Sequence, residues 1–159
     1  MMSPTMKSVI VVLAVFAVFS VTAPVAAGEY RLGALVVEKF WARATPGVAR
    51  NGAAYVTIGN RGRDADRLIA VSSPAAARAA LHSHAMEASI IKMRPVAAVE
   101  VAPGAVTAMK PGGLHIMLKG LTAPLVEGGS FPLTLTFERA GTLTLKVTVM
   151  KIGPRHEKK

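Results

Sequence analysis

Two stretches, PLTLTF at 132–137 and TLTLKVTV at 142–149, alternate apolar and polar residues with period two. That period places Leu133, Leu135 and Phe137 on one side of a strand and Thr134 and Thr136 on the other. The second stretch has Leu143, Leu145, Val147 and Val149 on its dry side. Joined by a short turn closed by Gly141, the two predict an antiparallel hairpin with one wet face. A sheet that is dry on one face only needs a second layer to cover it.

The same punctuation recurs upstream. VAAVEVAPG at 96–104 ends in Pro-Gly, VTAM at 106–109 runs into Lys-Pro-Gly-Gly, and LHIML at 114–118 is bounded by Gly120. LVVEKFW at 35–41 and AAYVTIGN at 53–60 read as strands, with Trp41 as a core or edge-packing residue. ATPG at 44–47 is a turn, NRGRDADR at 60–67 a charged loop, and LIAV at 68–71 a short buried strand. Short strands between Gly/Pro turns predict an all-β sandwich or small barrel. One segment is ambiguous. Ser73-Pro74 followed by AAARAALHSHAME has an N-cap, a proline at the first position and an alanine run, all of which favour a helix. As a helix it stacks His82 and Met86 one turn apart; extended, it puts His82, His84 and Met86 on one face.

The first residues read as an export signal. Lys7 is followed by the apolar run Val9–Phe19, then Pro24 and small residues at Val25-Ala26-Ala27, so cleavage is expected after Ala27. The run is short of the about 20 residues of a spanning helix, and no cysteine follows it to carry a lipid. The expected division is a signal at 1–27, one domain at 28–152, and a polar basic tail at 153–159 with a solvated His156. The sequence has no cysteine at all. An exported chain without disulfides must hold its fold by its core alone, and zinc-thiolate, iron–sulfur and blue-copper centres are excluded. The formal charge is +10. Export and the scarcity of aromatics argue against nucleic acid as a partner, whereas an anionic membrane surface or an acidic protein face fits the charge.

Three of the four histidines, with several methionines, fall in LHSHAME at 81–87, IIKMRP at 90–95 and GGLHIML at 112–118. On a strand, His115 and Met117 project from one face about 6.6 Å apart and can converge on one ion. A second pair has to come from a neighbouring strand or loop, and His82 and Met93, which bracket a turn, can supply it. Imidazole and thioether suit copper, above all Cu(I), and suit magnesium, calcium or zinc poorly. Neutral donors would leave the ion its charge and let it pass to a richer donor set, as a carrier requires. Affinity should weaken as pH falls through about 6.5, where imidazoles protonate. Methionine is also an ordinary gap-filler of cores, and spacing alone does not decide between ligation and packing.

The spacing H-x10-M-x21-H-x-M, with IKMRP at 91–95 and PGG-x-H-x-M-L at 111–118, resembles the PCu(A)C family of periplasmic copper chaperones. The resemblance extends from WARATP at 41–46 through AYVTIGN at 54–60 and DRLIAVSSP at 66–74 to PLTLTF at 132–137. It implies an all-β, cupredoxin-like Greek-key barrel or sandwich and an exposed Cu(I) site made by His82, Met93, His115 and Met117, for which a monomer suffices. It also implies delivery of copper to the Cu(A) subunit of cytochrome c oxidase, directly or beside Sco-type chaperones, and no catalysis. It makes 78–84 a strand against its helical propensity. His84 and Met86 stand as auxiliary copper donors or exposed bystanders. The rival readings are copper buffering, an exported immunoglobulin-like interaction domain, or a hydrolase using Ser83 or Ser89 with a histidine and Asp64 or Asp66. No nucleophile-elbow motif supports the last.

Overall fold

The computed structural model describes residues 28–151; the expected signal, the tail and His156 lie outside them. The described residues form eleven strands and no helix: β1 (Glu29–Leu32), β2 (Leu35–Arg43), β3 (Asn51–Asn60), β4 (Asp66–Ser72), β5 (Ala76–Glu87), β6 (Ile90–Pro95), β7 (Val99–Val101), β8 (Val106–Ala108), β9 (His115–Leu121), β10 (Ser130–Phe137) and β11 (Gly141–Met150). They pair in the order β6-β5-β9-β3-β2-β11-β10-β4-β7, with β1 added to β2 and β8 to β3. All pairs are antiparallel except β11 with β2. The ladder does not close into a barrel. It folds over, so that β4 packs against β5 without pairing to it, and the alternate residues of both layers meet in one core.

The C-terminal hairpin forms as expected, with Leu133 opposite Leu145 and Leu135 opposite Leu143. Leu133, Leu135, Leu145 and Val147 are buried, while the Thr134 and Thr144 hydroxyls share a 2.9 Å hydrogen bond on the wet face. Ile58, Leu68, Ile116 and Leu118 lie in the same core. Two strands differ from expectation. In LIAV only Leu68 and Val71 are buried, because the pairing with β10 shifts register between Ala70 and Leu68 and the extra residue, Ile69, lets two neighbours face outward between them. The segment 96–104 is extended only over β7.

The alanine-rich segment is a strand. β5 gains a ladder on each side, to β9 and to β6, and Leu81 is buried opposite Ile116. Those non-local pairings outweigh the helical propensity of alanine. Ser73 still accepts from the Ala75 N–H at 3.2 Å, but it donates to the Pro132 carbonyl at 2.6 Å and so ties a turn to β10 instead of capping a helix. In β2 an extra residue sits between Glu38 and Trp41, and Lys39 takes φ +50° there. This bulge turns Trp41 outward against Tyr55, with ring centroids 4.5 Å apart.

Candidate metal centre

The donors are placed by strand register. On β9, Ile116 and Leu118 enter the core, so His115 and Met117 emerge on the opposite face. β5 sets His82 opposite His115 and Ala80 opposite Met117, and across the hairpin His84 stands opposite Met93. Cross-strand partners share a face, so all three histidines and both methionines lie on one outer face of β6, β5 and β9. β3 extends that face with Ala53, opposite Met117, and with Tyr55.

A recess of about 410 Å³ opens on this face, lined by His84, Met93, His115 and Met117, with Tyr55 and Arg43 on its far side. Ala53, with only a methyl group on this face, lies between Arg43 and Met117 on the lining. His82 is not on the lining. Its ring lies 5.9 Å from that of His115, and it is 7% exposed; the His84 ring is nearer, at 5.0 Å. Met93 is half exposed, so one donor stands open to solvent, and Met86 projects from the hairpin tip outside the recess.

Hydrogen bonding prepares the imidazoles for ligation. His115 Nδ1 lies 3.0 Å from the Gly113 carbonyl; a proton held there leaves Nε2 as a free lone pair. Nδ1 of His82 and of His84 is buried with no hydrogen-bond partner. Such an atom is costly to leave unmatched, and a bound ion would match it. Burial first, then the charges of Lys119 and His115, hold His82 below the usual histidine pKa. At neutral pH that ring is therefore uncharged and able to bind a cation. Among the described residues no three His, Asp or Glu side chains gather round one point. The thioethers of Met93 and Met117 are the further soft donors that this face offers beside the imidazoles.

Of the residues singled out from the sequence, Met93, His115, Met117 and His84 line the recess, and His82 and Met86 do not. Arg43 and Tyr55 line it as well: period two in WARATP sets Arg43 on the side of Trp41, but only the β3–β9 register brings Tyr55 level with His115. The hydrolase triad is not assembled. Ser83 alternates away from both β5 histidines, and Asp66 already accepts from the backbone N–H groups of Arg67, Arg139 and Ala140.

The LpqE-like family model matches residues 35–149. The chain belongs to that family. No curated protein matches it. Among solved structures, the copper-bound PCuAC domain of PmoF2 is 28% identical with a TM-score of 0.67, covering 77% of this chain and 97% of that one. The apo form of DR1885 from Deinococcus radiodurans is 25% identical with a TM-score of 0.60, covering 94% and 97%. Its Cu(I) form gives 28% and 0.55, over 80% and 84%. The fold is thus that of the PCuAC domains, a cupredoxin-like sandwich, and like its family the chain is not an enzyme.

Proposed function

We propose that this chain is an exported Cu(I) chaperone whose recess holds one ion between His82, Met93, His115 and Met117, with His84 beside them on the wall. The observation that carries this reading is the convergence of imidazoles and thioethers on one face of β6, β5 and β9. The copper-bound neighbours support it. Two thioethers favour the soft monovalent ion. Neutral donors leave its charge in place, and the half-exposed Met93 gives an acceptor a first sulfur to displace. Transfer then proceeds by exchange, one donor at a time. The acceptor is a copper-requiring protein outside the cytoplasm: the Cu(A) subunit of cytochrome c oxidase or a Sco-type chaperone. Residues 1–27 direct export, to the periplasm.

Titration under reducing conditions tests the carrier. One tight Cu(I) per chain is expected, lost in Met93→Ala and His115→Ala; unchanged affinity in both variants refutes the assignment. His82→Ala should weaken binding more than His84→Ala, and the reverse order would move the fourth ligand to His84. The exposed tip formed by Met86, Ile90 and Ile91 favours a second reading, an interaction domain. That reading requires partner binding that survives a copper chelator.

A further inference from the structure

One charged side chain stands among the neutral donors. Arg43 ends β2, and because Ala42 is fully buried, Arg43 and Trp41 both emerge on the recess face. One step beyond the Ala42–Ala54 pair, Arg43 is level with Ala53, which in turn lies opposite Met117. Only the methyl group of Ala53 separates the two on the surface, and the Arg43 side chain lines the recess with the donors. No carboxylate pairs with Arg43 among the described residues, and its Nε is buried without a partner. The guanidinium cannot lose its charge in a protein. Its fixed positive charge therefore acts directly on whatever cation enters.

On the carrier reading above, we infer that Arg43 selects the charge of the ion: it is a specificity-determining residue that penalises Cu(II) more than Cu(I). Soft donors discriminate by the character of the metal; Arg43 discriminates by charge alone. Coulomb repulsion is linear in the ion's charge, so the loss in log affinity for the divalent ion is twice that for the monovalent one. At a separation of about 8 Å and an effective dielectric of about 40, the loss is about sixfold for Cu(I) and about thirtyfold for Cu(II). The same repulsion loosens Cu(I) slightly, which assists its release to an acceptor. Lys119, whose charge His82 also feels, adds to the field from the β9 side.

The test measures dissociation constants for Cu(I), under reducing conditions, and for Cu(II), in air, by competition with chelators of known affinity. Wild type, Arg43→Gln, Arg43→Leu and Arg43→Lys are compared. Gln and Leu should each tighten Cu(I) by about sixfold and Cu(II) by about thirtyfold, while Lys, which keeps the charge, stays near wild type. The potential of the bound couple should fall by about 45 mV in the two neutral variants, at about 59 mV per tenfold change for one electron. An unchanged Cu(II)/Cu(I) ratio in both neutral variants, or a Lys variant that behaves like them, overturns the inference while the carrier stands. A wild-type chain that takes up no Cu(I) overturns both.

Discussion

The β5–β6 hairpin carries Met93, and its turn is built from the wrong residues. Glu87 pairs with Ile90, so Ala88 and Ser89 form a two-residue loop, and both have positive φ, +46° and +67°. That is the pattern of a type I′ turn, which favours Asn-Gly. An L-residue forced into this region costs about 1–2 kcal/mol. Glycine removes that cost at Ser89 but gives back about 0.5–1 kcal/mol through its freer unfolded chain. Asparagine, which tolerates the left-handed region, should recover about 0.5 kcal/mol at Ala88. Together Ala88→Asn and Ser89→Gly should stabilise the hairpin by about 1–1.5 kcal/mol. Hydrogen exchange reads this locally: amides of β6 paired with β5 should exchange about five- to twelvefold more slowly. Cu(I) affinity rises no further than hairpin closure does. Ser89→Val is the control, since a β-branched residue is least at home at positive φ. The reasoning fails if Val at 89 protects the β6 amides as well as Gly does.

Three further outcomes follow from other parts of the fold. Asp66→Ala, which strips the acceptor from three backbone N–H groups, should cost about 3 kcal/mol in urea denaturation at neutral pH. Burial pushes the Asp66 pKa up, but those three bonds and the Arg139 charge outweigh it, leaving the carboxyl below its usual range. Its contribution is therefore complete above about pH 4 and is lost as pH falls through the folded value. Wild type should lose stability over that acid window by an increment the variant lacks; parallel curves would contradict this. Leu133→Ala, at a fully buried position, should cost about 2–5 kcal/mol, with Cu(I) stoichiometry unchanged in the folded protein. An oxidised, copper-loaded sample should be nearly colourless, because a Cys-free chain has no thiolate to give the intense visible band; strong colour would mean the site is misread.

How far the sequence could be read depended on whether each pattern was local. The β10–β11 hairpin was legible residue by residue, since its alternation and Gly141 lie within one short window. His115 and Met117 were legible for the same reason. β5 was not, because alanine and a Ser-Pro start favour a helix and only pairing with β9 and β6 makes the segment extended. The resemblance to a known family supplied that strand where propensity did not. The wet side of β4 was hidden in LIAV, whose four apolar residues gave no sign of the two that stay outside the core.

The place of His84 was hidden by the turn. Counting outward from the Glu87–Ile90 pair brings Met86 opposite Ile91, His84 opposite Met93 and His82 opposite Pro95. The ten residues between His82 and Met93 thus place them diagonally on one face, with His84 directly across from the sulfur. A turn one residue longer would move Met93 to the other face, since side chains alternate with period two. The motif spacing is therefore a statement about loop length, and loop length could not be read from Ala-Ser, which lacks the Asn-Gly signal of this turn. The residues least suited to the turn thus fix the register on which the donor cluster depends.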